Sequence, residues 1–280
     1  AWTRTEAGIL WGRPEMLVSN VTLDHVTITS PKTFRAYNAR NIKLVDTKIN
    51  QSSGSTYTLY NAAVTITNGL PGASVVSIDG LTSSNAVALY NAPASMSGTN
   101  LFGINPLTLS GSSFMNNGKL TLPSSTILNF AVGTNGSLLT ETGDLTLNST
   151  LNVINDGFKP GTYTLISYTG NLSGSPTLGS VPRGYDCSLD TGTSGFVKLI
   201  TRARTPSIGG IHLDANGHVI ISGSGGPADY SYYLLCSTNL ALPPNEWTVV
   251  TNNNFDSLGN FSITSPPALA PQIFYRLQLP

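Results

Sequence analysis

Two carboxylates, Asp24 and Asp46, each follow an apolar residue and are separated by the length of one short repeat. Glycoside hydrolysis needs two carboxyls roughly 5–10 Å apart across a sugar. In stacked β-coils, matching positions on adjacent turns lie about 5 Å apart, and those two turns away about 10 Å apart. The spacing therefore permits such a pair, although exposed turn positions are the simpler account of both residues. Trp2, Trp11, Arg13 and Glu15 form the densest polar-aromatic cluster. An aromatic face beside a cation can stack a sugar ring and pair a uronate. The plainer alternative packs Trp11 against a preceding coil and pairs Arg13 with Glu15. The three histidines, His25, His212 and His218, have no partners at ligand spacing, so no metal site is expected. No glycine-rich phosphate loop opens a helix and no serine nucleophile elbow is present, so no cofactor is expected either.

The element that would position such groups is a repeat. Ala36-Tyr37-Asn38-Ala39, Leu59-Tyr60-Asn61-Ala62 and Leu89-Tyr90-Asn91-Ala92 recur, with a looser copy at Phe114-Met115-Asn116-Asn117. Each copy adjoins an alternating apolar run such as Asn41-Ile42-Lys43-Leu44-Val45 or Ala63-Val64-Thr65-Ile66-Thr67. A period of roughly 20–30 residues with one or two short strands per copy marks a solenoid. Identical residues then fall above one another, so Tyr37, Tyr60 and Tyr90 should stack. Asn38, Asn61, Asn91 and Asn116 should form a ladder of amides.

Composition points the same way. Only 10% of the 280 residues are charged, while 28 Gly and 17 Pro supply turns, which favours an all-β chain. A formal net charge of +0 leaves no electrostatic footprint for nucleic acid or an anionic membrane. No apolar run approaches the length of a membrane span. Cys187 and Cys236 fall in different predicted domains; two buried thiols or a disulfide would both account for them. The start, Ala1-Trp2-Thr3-Arg4-Thr5-Glu6, has neither the basic and apolar regions of a signal peptide nor a cap for a solenoid. This suggests a fragment that begins inside a longer solenoid.

Three regions follow. Residues 1–118 carry the Tyr-Asn-Ala coils. Residues 119–203 change texture but keep strands, expected at Lys119–Leu122, Ile127–Val132, Ser137–Leu139, Asp144–Leu147, Thr150–Ile154, Thr162–Tyr168 and Phe196–Ile200. They either continue the solenoid or form a flatter strand region. After Arg202-Ala203-Arg204-Thr205-Pro206 the period disappears, and residues 204–280 read as a small β-sandwich with turns at Asp214-Ala215-Asn216-Gly217 and Asp256-Ser257-Leu258-Gly259-Asn260.

Residues 1–100 resemble the last coils of pectin-type glycoside hydrolases of the polygalacturonase family. The resemblance is carried by Ile9-Leu10-Trp11-Gly12-Arg13-Pro14-Glu15-Met16, Val18-Ser19-Asn20-Val21-Thr22-Leu23, Lys32-Thr33-Phe34 and the first two Tyr-Asn-Ala copies. It implies a right-handed parallel β-helix, secretion and a galacturonan-like ancestral substrate. The family's catalytic Asn-Thr-Asp, Asp-Asp, Gly-His-Gly and Arg-Ile-Lys motifs are absent; Arg40-Asn41-Ile42-Lys43 only approximates the last, with an inserted Asn. What carries over is a fold and a parentage, without an active site. Residues 144–200 resemble passenger segments of autotransporter-like proteins through Gly161-Thr162-Tyr163-Thr164-Leu165-Ile166 and Gly174-Ser175-Pro176. Residues 206–280 resemble an Ig-like module that ends large secreted proteins of Verrucomicrobia-like bacteria, through Tyr232-Tyr233-Leu234-Leu235, Ser237-Thr238-Asn239-Leu240, Trp247, Phe261 and Phe274-Tyr275-Arg276-Leu277.

The expectation is a non-catalytic C-terminal part of a secreted or surface bacterial protein, capping a solenoid and attaching it. A structural or adhesive solenoid that self-associates head to tail into fibres or a surface array is the alternative. A weaker one is a module that binds a pectin-like polysaccharide around Trp11.

Overall fold

The computed structural model describes residues 6–52, 56–67, 76–80, 85–90, 94–97, 100–101, 104–134, 136–265 and 272–280. Among these residues the chain forms strands and no α-helix. It divides into two compact units. The first takes the described residues of Ala1–Phe158, Thr162–Val181 and Ser188–Ile200; the second takes Lys159–Gly161, Pro182–Cys187 and Thr201–Pro280.

The first unit is a parallel β-solenoid of about six turns. Its longest ladder runs through Gly8–Trp11, Phe34–Val45, Tyr57–Thr67, Asn85–Tyr90, Ile104–Ser110, Ile127–Gly133, Thr150–Asp156 and Thr177–Leu178, each strand parallel to the next. Alternating apolar residues in these strands generate the core. In register, Ile42 lies on Val64, Val64 on Val87, Val87 on Leu107, Leu107 on Leu128, Leu128 on Leu151 and Leu151 on Leu178. All but Leu178 are buried. Each such side chain contributes about 1.5–3 kcal/mol through removal from water. A second column sets Phe114 on Leu139 and Leu139 on Ile166, and a third sets Leu120 on Leu145 and Leu145 on Leu172.

The strands from Leu120–Leu122 to Thr177–Leu178 belong to these same ladders. Ile127–Gly133 pairs back onto Ile104–Ser110, and Leu120–Leu122 onto Asn100–Leu101. Side chains that hydrogen-bond to neighbouring coils reach partners 21 to 28 residues away in sequence.

Asparagine turns the corners. The strand Phe34–Val45 carries Asn38 and Asn41 at φ 48° and 50°, and Tyr57–Thr67 carries Asn61 at φ 47°. This left-handed conformation is costly for most residues but tolerated by Asn, whose short amide can bond locally. Between Ala39 and Ile42 the register shifts, so the first of these two rungs holds an extra residue as a bulge. The corner amides join successive turns: Asn61 Nδ2 donates to Asn38 Oδ1 at 2.9 Å, and Asn38 Nδ2 donates to the Gly12 carbonyl at 3.1 Å. Gly12 cannot carry a side chain, because a Cβ there would collide with the Asn38 carbonyl and the Val18 amide.

A second amide ladder appears where the sequence showed no repeat. Asn152 Nδ2 donates to Asn129 Oδ1, and Asn129 Nδ2 to Thr108 Oγ1, both at 2.9 Å. Hydroxyl pairs extend the pattern at Thr146–Ser173, Thr150–Thr177 and Thr140–Ser167.

The second unit is antiparallel. Ser207–Leu213, Val219–Ser224 and Phe261–Ser265 form one three-stranded sheet; Thr248–Asn254, Ser231–Ser237 and Phe274–Gln278 form another. Val219, Ile221, Phe261 and Ile263 from the first share one cluster with Tyr232 and Leu234 from the second and with Phe255. Two turns use the same chemistry. Asp214 accepts the amides of Asn216 and His218 before a left-handed Gly217, and Asp256 accepts those of Leu258 and Asn260 around a left-handed Gly259. Those backbone bonds hold both carboxyls below the usual carboxylate range. Cys187 falls in this unit together with Cys236; both are half-buried free thiols. This differs from the expected separation, because the Pro182–Cys187 segment packs with the second unit.

Replacing Asn61 by Ala removes the amide link to Asn38 and puts a Cβ-bearing residue without local bonding into the left-handed region. Asn61→Ala is expected to lower unfolding stability by about 2 kcal/mol, measured by chemical denaturation.

Candidate functional site

The residues singled out in the sequence separate into three places. The first is an aromatic column on the outer face of the solenoid. Gly8–Trp11, Phe34–Val45 and Tyr57–Thr67 are in register, so Trp11, Tyr37 and Tyr60 occupy one line. Trp11 and Tyr37 have ring centroids 5.2 Å apart at 32°, and Tyr37 and Tyr60 5.9 Å apart at 39°. Trp11 is 69% exposed and Tyr60 40%. Trp11 therefore packs on the following turn through Tyr37, an arrangement that the Tyr-Asn-Ala repeat alone did not reveal because its own rung reads Ile-Leu-Trp-Gly. Arg13 and Glu15 lie in a tight turn closed by reciprocal backbone bonds between Arg13 and Met16. Both are exposed, and among the described residues no ion pair joins them. The cation of the neighbouring rung, Arg35, is bound instead to Glu6 at 3.1 Å. Trp2 lies outside the described residues.

The column does not extend as the repeat suggested. The backbone of Tyr90 aligns with Thr67 and Ser110, seven residues past Tyr60 along the strand, because the third coil enters the ladder further along. Asn91 lies outside the described residues. Asn116 is on another series of strands, aligned with Glu141. It is fully buried, and its Nδ2 donates to Glu141 Oε2 at 2.6 Å. Glu141 also accepts the Gly143 amide at 2.6 Å. Burial nonetheless pushes the Glu141 carboxyl up, outweighing those two bonds. The sequence signal for this pair was weak: one acid in an otherwise uncharged strand, one coil after an asparagine.

The third place is the step formed by Asp24, His25 and Asp46. Asp24 aligns with Val45, so His25 falls beside Asp46 on the next rung. His25 and Asp46 both adopt left-handed backbone, at φ 53° and 45°, and this turns their side chains off the strand line. His25 Nδ1 is 2.6 Å from Asp24 Oδ1, and Nε2 is 3.6 Å from Asp46 Oδ2. The donor atoms of all three lie within 4.8 Å of one another. The two carboxylates thus flank an imidazole rather than a sugar-sized gap. Each ring nitrogen faces its own carboxylate, an arrangement that suits an imidazolium bridge. Each of the three also offers one ligand atom, so a cation could replace the proton between Nε2 and Asp46 with both as ligands. His25 follows Asp24 directly, but the contact with Asp46 escaped the sequence reading because Asp46 comes from the adjacent coil, at no ligand spacing along the chain.

Fold and sites together define a parallel β-solenoid with an exposed aromatic column, joined to an antiparallel β unit. The chain matches no family model, no curated protein and no solved structure.

The hydrogen bond to Asp24, then the charges of Asp24 and Asp46, raise His25 above its ordinary value of 6.5. A pKa raised on folding gives stability that is fully present below the unfolded value and is lost as pH rises through the folded one. An NMR titration should show His25 protonated above pH 6.5, and Asp24→Asn should bring its midpoint down.

Proposed function

We propose that this chain is the non-catalytic C-terminal part of a secreted or cell-surface β-solenoid protein, whose parent resembles glycoside hydrolases of the polygalacturonase type. In this reading the solenoid is right-handed, its turns form a rigid terminal spacer, and residues 204–280 act as an Ig-like attachment module. The observation that carries it is where the polar side chains go. Asn38 with Asn61, Asn129 with Asn152, Thr150 with Thr177 and Asn116 with Glu141 bond from rung to rung, holding the stack together rather than converging on a substrate. The two carboxylates with the best spacing for hydrolysis, Asp24 and Asp46, are occupied by His25. The chain appended to a secreted reporter should retain that reporter at the cell surface, and incubation with polygalacturonan should release no reducing ends. A reporter found wholly in the medium would overturn the attachment role.

A second reading is favoured by the exposure of Trp11 at the head of the aromatic column, with Arg13 nearby in sequence and free of an ion pair among the described residues. In this reading the indole stacks a pyranose and the guanidinium pairs its carboxylate. Galacturonan affinity should then fall at least tenfold in Trp11→Ala; an unchanged affinity ends the idea.

A further inference from the structure

A cavity lies in the solenoid far along the chain from Trp11. Between the turn after Ile127–Gly133 and the start of Gly161–Tyr168 there is a cavity of about 620 Å³. It falls within the size range of small-molecule sites, roughly 300–1,000 Å³. The register explains why it exists. Leu138–Glu141 covers its neighbour only from Ile166 onward, so the first half of Gly161–Tyr168 extends past that strand.

The lining has a definite chemical character. None of its residues is charged. Leu165 and Leu138 supply apolar surface, and Tyr163 and Phe196 supply aromatic rings. The Tyr163 ring is fixed in orientation: it lies 5.6 Å from the ring of buried Phe158 at 17°, so one face is covered. Phe196 is 40% exposed, and Lys198 Nζ stands 5.4 Å from its centroid, engaged with the ring rather than lining the cavity. Thr162 and Thr164 are exposed, and neither hydroxyl has a hydrogen-bond partner among the described residues. Elsewhere in the solenoid such hydroxyls pair between rungs, as Thr146 does with Ser173 and Thr150 with Thr177.

We infer that this cavity binds one unit of a neutral saccharide. The Tyr163 ring, held by Phe158, and the exposed Phe196 ring receive the C–H face of a pyranose, and free hydroxyls meet its hydroxyls. No lining residue carries a charge to neutralise a uronate, and Lys198 is engaged with the Phe196 ring, so a buried carboxylate would lose hydration with little compensation. The ligand class therefore differs from the acidic sugar assigned to Trp11, and the two sites stand or fall separately.

The test titrates the full chain, by calorimetry and by NMR, with the neutral trisaccharides of galactose, glucose, mannose and xylose and with trigalacturonic acid. At least one neutral trisaccharide should bind with a dissociation constant in the millimolar range or tighter. Phe196→Ala should weaken it at least tenfold and Thr164→Val severalfold. Both Phe196 and Thr164 are exposed, so the variants keep the fold, which circular dichroism checks. Absence of binding by all four neutral sugars at millimolar concentration overturns the inference. So does binding that survives both cavity variants, or a cavity-dependent preference for trigalacturonic acid.

Discussion

A parallel rung has no hairpin partner, so its amides and carbonyls must find their mates a full turn away. That constraint governs the solenoid. Since each strand bonds only to the coils before and after it, side chains at one position are forced into a line, and each line must be compatible with itself. The Ile42-to-Leu178 column meets this with aliphatic residues and excludes water along the stack. Where the line falls on polar residues, the same constraint is met by amides and hydroxyls that bond to their counterparts. Left without such a partner, a buried polar group would cost about 1–3 kcal/mol.

The corners make the lines possible. A twelve-residue strand such as Phe34–Val45 can follow the solenoid round a bend only if some residue takes a conformation that straight strands avoid. Asn38 and Asn41 do this, and Asn38 then uses its amide to tie the bend to Gly12 above and Asn61 below. Shape and cohesion thus come from the same side chain. The step at Asp24, His25 and Asp46 is a charged version of that device, with left-handed residues on successive rungs and an imidazole in place of the amide.

How much could be read in advance follows from this physics. Apolar alternation and the Tyr-Asn-Ala phrase both reflect the stacking rule directly, and they led to the parallel solenoid and to the contact of Tyr37 with Tyr60 and of Asn38 with Asn61. Strand positions from Leu120 onward were also visible, since Leu-Thr-Leu and Thr-Leu-Asn-Val carry period-two patterns. Register was not visible. Coils differ in length, so a copied phrase can land on another line, as Tyr90 does, or on another face, as Asn116 does. Contacts between unlike residues on adjacent rungs, Trp11 on Tyr37 or His25 on Asp46, leave no repeated signature at all. The polar-aromatic group at Trp11, Arg13 and Glu15 was readable as a cluster, but its geometry was not, because the partner of Trp11 lies on the next turn and Arg13 closes a backbone turn with Met16.

The unequal coil lengths have a consequence for how such a chain changes over time. Rungs aligned across intervals of 20 to 27 residues keep one inner column intact, so the surplus residues are absorbed outside the strands, at bends and loops. An insertion at a bend alters the contour of a single turn and leaves its neighbours undisturbed. The same insertion within a strand would flip every following side chain to the opposite face. The solenoid is therefore permissive around its rim and unforgiving along its strands, and new surface chemistry can accumulate one turn at a time without renegotiating the interior.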